Sequence, residues 1–163
     1  MSQSDRIAVV LGQGGHTAQT FALVTLLGAR FRYLYLIGLL DRLTPKKITV
    51  PGRVLPVLPP RLLPTDSRPM AVIRTLVTFL LSVAYFVVFR PIAVVSCGTG
   101  LTVPVFYAAR LLGTKTVFIE SMSRVESLSI TGRLLLNKVS LFVVQWPELA
   151  KRTPGAVYGG QLL

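Results

Sequence analysis

Ile7-Ala8-Val9-Val10-Leu11-Gly12-Gln13-Gly14-Gly15-His16-Thr17 is the stretch on which the reading of this chain turns. Its first part is short, apolar and β-branched, and Gly12 bounds it, so residues 6–11 read as a buried strand. The pattern that follows predicts a helix over residues 16–28, with Phe21, Leu23, Val24 and Leu27 on its buried side and Gly28 as its stop. A strand that ends in glycines and then enters a helix presents main-chain N–H groups to a phosphate. Missing Cβ atoms let a ligand come close, and the helix N-terminus adds partial positive charge. Arg32 to Ile37 reads as a second strand closed by Gly38, which completes a βαβ unit with parallel strands and a right-handed crossover.

The same alternation continues to the C-terminus. Between Asp41 and Pro69 lie seven of the eleven prolines (Pro45, Pro51, Pro56, Pro59, Pro60, Pro64, Pro69) together with Arg42, Lys46, Lys47, Arg53, Arg61 and Arg68. Prolines at this density break helices and ladders, so residues 41–69 are expected to be irregular, with at most a short strand near Val54 to Leu58. Two readings stay open for them: a solvated surface loop, or a basic loop that meets lipid headgroups. Met70 to Phe89 is long enough to cross a bilayer. Arg74 lies within it, however, and Thr75, Thr78, Ser82 and Tyr85 form a narrow polar stripe at three- and four-residue steps. A helix lying at the membrane interface, one face on the sheet and one in lipid, is therefore expected. Strands follow at Ile92 to Val95, Thr116 to Ile119, Ser140 to Val144 and, briefly, Ala156 to Tyr158. Between them come helices at Leu101 to Leu112, with Pro104 in its first turn, and at residues 129–138. The expected fold is α/β, a doubly wound parallel sheet of Rossmann-like type, as a single domain over residues 1–163.

Composition narrows the partners. The 163 residues are 52% hydrophobic and only 15% charged, yet 18 Lys and Arg face 6 Asp and Glu, a net charge of +12. That apolar content excludes a disordered chain. A basic, apolar chain suits an anionic membrane surface or an anionic ligand, and with no nucleic-acid-binding motif present, nucleic acid is not expected as a partner. Cys97 is the single cysteine, so no disulfide framework or metal cluster is expected, and a reducing compartment fits. Met1 to Asp5 lacks the pattern of a signal peptide, which places the expected start of the chain in the cytoplasm.

In a doubly wound sheet, ligands bind outside the carboxyl ends of the strands where strand order reverses. Three polar turns fall at such ends: Gly12–Thr17, Ser96–Gly100 and Glu120–Arg124. The first is no Walker A loop and does not complete G-x-G-x-x-G, since Thr17 stands at the sixth position; a nucleotide-dependent oxidoreductase is thus a weak alternative. His16, the only histidine, is a candidate general base or a donor to phosphate. Gly12, Gly14, Gly15 and Thr17, with Ser96, Gly98, Thr99 and Gly100, are candidate anion-binding residues. Glu120 reads equally well as a base or as the structural ion-pair partner of Arg124, whose planar fork suits a phosphate. Cys97 reads as a packed small hydrophobe.

These motifs carry a family resemblance. G-x-G-G-H-T after a strand, S-C-G-T-G-x-x-V-P after a later one, I-E-S-M-S-R-V-E-S-L-S-I-T-G-R-L-L, V-V-Q-W-P-E-L and Tyr158-Gly159-Gly160 together resemble the membrane-recruiting subunit of the two-subunit UDP-GlcNAc transferase of the dolichol pathway. They are similar, too, to bacterial exopolysaccharide relatives of the PssD type. The resemblance implies the acceptor-side half of a GT-B glycosyltransferase, comparable to one of the two domains of MurG, with a small donor-binding subunit as a separate partner. It places the glycine–histidine turn, Ser96 to Gly100, and Ser121, Ser123 and Arg124 around a lipid-linked diphosphate acceptor. His16 or Glu120 would be the base, Gln145, Trp146 and Tyr158 would lie near the partner, and no metal or cofactor is implied. The dolichol-pathway proteins carry an N-terminal anchor, whereas here the turn begins at residue 12. Membrane attachment is therefore expected through residues 70–89 and the basic loop, at the cytoplasmic face, as in the bacterial relatives. A non-catalytic membrane scaffold is the other alternative.

Overall fold

The computed structural model of the chain describes residues 5–12, 14–60 and 67–163. Gln13 of the glycine turn and residues 61–66 of the proline-rich segment, including Arg61 and Pro64, lie outside the described residues. The strands are β1 (Arg6–Val10), β2 (Arg32–Gly38), β3 (Gly52–Val57), β4 (Ala93–Ser96), β5 (Lys115–Ile119), β6 (Leu141–Val144) and β7 (Val157–Tyr158). The helices are α1 (Gly15–Leu27), α2 (Arg68–Phe89), α3 (Thr102–Leu111), α4 (Ile130–Leu135) and α5 (Pro147–Arg152). All strand pairs are parallel, in the order β3-β2-β1-β4-β5-β6-β7. Strand order reverses between β1 and β4, where Ile7 stands opposite both Tyr33 and Ala93. The doubly wound sheet expected from the sequence is present, and so is the strand inside the proline-rich segment. Pro56 fits there because β3 is an edge, where its missing N–H costs no ladder bond.

The period-two alternation of each strand separates two cores. Ala8, Val10, Leu34, Leu36, Val94 and Phe118 pack with α2, α3 and the buried Leu135 and Leu149 on one face. Ile7, Val9, Leu11, Tyr33, Tyr35 and Ile37 pack with Val24 of α1 on the other. Tyr33 and Tyr35 stack at 5.8 Å between ring centroids and send their hydroxyls to the carbonyls of Gly28 and Val50. Burial, reinforced by the neighbouring Tyr33, pushes the Tyr35 phenol up to about 12.

The amphipathicity of α2 is inverted relative to a helix of a soluble domain. Its polar stripe faces the protein: Thr78 and Ser82 are fully buried, and the Thr78 hydroxyl both donates to the Leu58 carbonyl and accepts from the Leu58 N–H. Ser82 donates to the Thr78 carbonyl at 2.7 Å, and Tyr85 to the Pro56 carbonyl at 2.9 Å. Its outer side is apolar, with Val72, Ile73, Leu76, Leu80, Val87 and Val88 each more than half exposed. These polar contacts fasten the helix to the end of β3. Thr78→Val leaves both main-chain groups of Leu58 without this partner and is expected to cost about 1–3 kcal/mol, read as a lowered thermal midpoint.

Candidate functional site

The first two strand-end turns meet each other at the reversal point. Gly14 stands before α1 at φ +68°, a backbone conformation open to glycine, and Thr17 ties the turn down by donating to the Gly12 carbonyl at 2.6 Å. After β4, Gly98 and Thr99 both take positive φ, +97° and +101°. For the β-branched Thr99 this is a strained conformation, worth on the order of 1–3 kcal/mol. The turns interlock: a Cβ on Gly12 would lie 2.7 Å from Thr99 Cβ, and one on Gly98 would lie 2.8 Å from His16 Nδ1. Only bare backbone lets the His16 ring lie against Gly98.

That ring is oriented by one bond. His16 Nδ1 lies 3.0 Å from the Cys97 carbonyl oxygen. A carbonyl only accepts, so Nδ1 carries the proton and donates, and the neutral ring keeps its lone pair on Nε2. His16 is half-buried and lines a cavity of about 610 Å³. Leu11, Gly12, Thr99, Gly100 and Leu101 form the wall beside it; Gly38, Leu40 and Asp41 close it from β2, Pro59 and Pro60 from beyond β3, and Ala71 from α2. The N-termini of α1 and α3 both end at this cavity, and neither first turn contains an acid to offset the helix dipole. On the far side, Asp41 is fixed by the N–H groups of Leu43 and Thr44 and by the Thr44 hydroxyl at 2.6 Å. Burial pushes its carboxyl up, but these bonds and Lys47 outweigh burial and hold the carboxyl below its ordinary range. The cavity is therefore polarised, receptive to an anion near Gly14–His16 and Gly98–Leu101 and to hydroxyl donors near Asp41.

The fold and this geometry agree with what known proteins show. The family described as "Oligosaccharide biosynthesis protein Alg14 like" matches residues 7–162. The chain belongs to the Alg14 family. It is 31% identical to the UDP-N-acetylglucosamine transferase subunit ALG14 of Yarrowia lipolytica, over 97% of this chain and 81% of the relative. It is 31% identical to the human protein of the same name, over 99% of this chain and 84% of the relative. Among solved structures, Acinetobacter baumannii MurG superposes with a TM-score of 0.72 at 16% identity, over 96% of this chain and 44% of MurG. UDP-N-acetylglucosamine 2-epimerase from Rickettsia bellii gives 0.69 at 9% identity, over 98% and 45%. Those two likenesses concern the fold, and this chain spans less than half of either solved chain.

The structure separates the remaining site residues of this Alg14-family chain from the cavity. None of Glu120–Arg124 lines it. Glu120 is fully buried: Oε1 accepts from Ser121 N at 2.9 Å, and Oε2 accepts from Ser129 N at 2.9 Å and Ser129 Oγ at 3.0 Å. Ser129 in turn caps α4 by accepting from Gly132 N, and Gly132 has no Cβ because Glu120 Oε2 occupies that space. Glu120 thus braces the loop after β5 and, contrary to one of its sequence-based readings, does not face the cavity as a base; nor is Arg124 among those partners. Ser121 is buried against Ser123 and Gln19, while Ser123 and Arg124 are exposed.

Three further expectations are corrected in the same way. The hydroxyls of Thr17 and Ser96 point inward, Ser96 to the Gly98 carbonyl and Thr102, so both shape the turns from behind instead of meeting a ligand. Gln145 is 1% exposed, so its side chain is an internal strut and not a partner surface. It donates to Gln19 Oε1 and to the Glu120 carbonyl, and accepts from Leu162 N. Trp146 is half-buried and donates to the Met122 carbonyl, whereas Tyr158 on edge strand β7 is exposed. Cys97 is buried, and burial, opposed only by a bond from Thr20, pushes its thiol up to about 11, which removes it as a nucleophile.

The sequence reading missed the outer walls (Leu40, Pro59, Pro60, Ala71) and Gln19. The buried face of α1 is mostly polar, with Thr17, Gln19 and Thr20 beside Val24, so apolar spacing gave no signal for Gln19.

Proposed function

We propose that this chain is the acceptor-binding, membrane-associated subunit of a two-component GT-B glycosyltransferase, which completes its active site only with a separate donor-binding subunit. The curated relatives are named as subunits of a UDP-N-acetylglucosamine transferase, and that supports N-acetylglucosamine as the transferred sugar. The observation that carries the reading is the meeting of two features at Ala71. An anion-receptive cavity and an unpartnered apolar helix face adjoin on one polypeptide, which is what a diphosphate carried on a lipid requires. The bilayer lies along the outer face of α2, at the cytoplasmic side, and the basic surplus answers anionic headgroups.

In the reaction this reading implies, the acceptor diphosphate rests against the N-termini of α1 and α3. His16 Nε2 takes the proton of the acceptor hydroxyl as that oxygen bonds to the anomeric carbon of the donor. The bond from that carbon to UDP breaks on the opposite face, so the configuration inverts, and the nucleoside diphosphate leaves on the partner. Tyr158 and the neighbouring β7 edge face that partner.

Binding by the isolated chain tests the division of labour. It is expected to bind a lipid-diphosphate-linked sugar in nanodiscs and to show no saturable binding of UDP-N-acetylglucosamine. Tight binding of the nucleotide sugar by this chain alone would assign it the donor side and refute the proposal.

A further inference from the structure

A second hollow lies directly beyond the cavity. Ala71, Val72, Thr75, Leu76 and Phe79 of α2 face Val103, Pro104 and Tyr107 of α3 across a groove of about 500 Å³. The groove and the cavity adjoin. Ala71 lines both, and on α3 the cavity ends at Leu101 where the groove begins at Val103. Its walls are apolar throughout in effect. The Thr75 hydroxyl is consumed on the Ala71 carbonyl at 2.7 Å, so that residue offers its methyl group. Val72 and Leu76 remain 68% and 57% exposed, so the α2 wall of the groove is not covered by the described residues.

We infer that this groove holds the first carbons of the acceptor's lipid chain, directing the tail from the diphosphate in the cavity towards the bilayer along α2. The inference rests on the lipid-diphosphate reading of the cavity. Adjacency selects this occupant. A chain bonded to the diphosphate needs an apolar path out of the cavity, and the groove is one that starts at Ala71. Its volume falls in the range of small-molecule sites, about 300–1,000 Å³, and suits a short branched hydrocarbon, whereas a general acyl chain of the bilayer would have no reason to begin at the cavity. The inverted amphipathicity of α2 gives the same direction: the polar stripe is spent on β3, and the face left over is the one the tail would follow.

The test uses the purified full chain and a series of soluble ligands: inorganic diphosphate, then prenyl diphosphates with one, two and three isoprene units. Burying each added unit is expected to tighten binding by about tenfold for at least the first two units. Val72→Trp, at an exposed position that fills the groove, is expected to abolish this gain and leave inorganic diphosphate binding unchanged. Prenyl diphosphates that bind no more tightly than inorganic diphosphate, or a Val72→Trp variant that keeps the full gain, overturn the groove assignment alone. A chain that self-associates through this face, becoming monomeric on Val72→Trp, overturns it as well. If neither inorganic diphosphate nor any prenyl diphosphate binds, the diphosphate reading of the cavity falls with it.

Discussion

His16→Ala is expected to lower kcat of the reconstituted enzyme by about 10²- to 10⁴-fold, with a much smaller change in KM for the acceptor. Nδ1 is committed to the Cys97 carbonyl, so the lone pair that accepts a proton is on Nε2 at the cavity. Alanine removes that lone pair, so the variant has no group at this position to take the proton. His16→Gln separates base from binder. An amide restores hydrogen bonding to phosphate but accepts no proton, so recovery of kcat by this variant would make His16 a ligand for the diphosphate only.

Glu120→Ala is expected to act on stability instead. The carboxylate satisfies two main-chain N–H groups and the Ser129 hydroxyl. At about 1–3 kcal/mol for each of the three donors left without a partner, the loss is roughly 3–9 kcal/mol, or a thermal midpoint lower by about 10 °C or more. Because Ser129 also caps α4, the loop between β5 and α4 should show the largest rise in hydrogen exchange. Glu120→Gln, which keeps the shape, should recover part of the midpoint while kcat stays near that of the parent chain. A loss of kcat in that variant as large as that of His16→Ala would reinstate Glu120 as the base.

The contrast between these two residues shows what was legible in the sequence. Both stand at strand ends, and a polar residue at a strand end reads the same whether it turns outward or inward. The direction of Glu120 is decided by Ser129 and by the bare Cα of Gly132, which become neighbours only when the loop closes. His16 is legible as the only histidine, directly after the glycines that follow β1; its ring has room because Gly98, in the turn after the neighbouring β4, has no Cβ. The sheet was readable because glycine marks its strand ends and apolar runs mark its strands. The outer cavity walls were not, since Pro59 and Pro60 reach the site only through docking of β3 on β2, and Ala71 only through the Thr78 and Tyr85 bonds of α2. Gln145 lies in a specific motif, yet specificity of a motif says nothing of whether a side chain faces solvent. Here it faces Gln19.

The same reasoning makes the exposed side of α2 informative. A polar stripe on a long apolar helix suggests a surface toward water, but here that stripe is buried and the apolar side is open. The helix is therefore built to be covered by something other than its own domain. With the reversal-point cavity at its N-terminal end, the proposed bilayer and the proposed lipid-borne ligand would reach the chain from the same side.

Transfer of N-acetylglucosamine from UDP-N-acetylglucosamine to a sugar-diphosphate-linked lipid, assayed with the purified chain, the donor-side subunit and both together, tests the central claim most directly. The account predicts no transfer by either chain alone and transfer by the pair. Full activity of this chain by itself would contradict it.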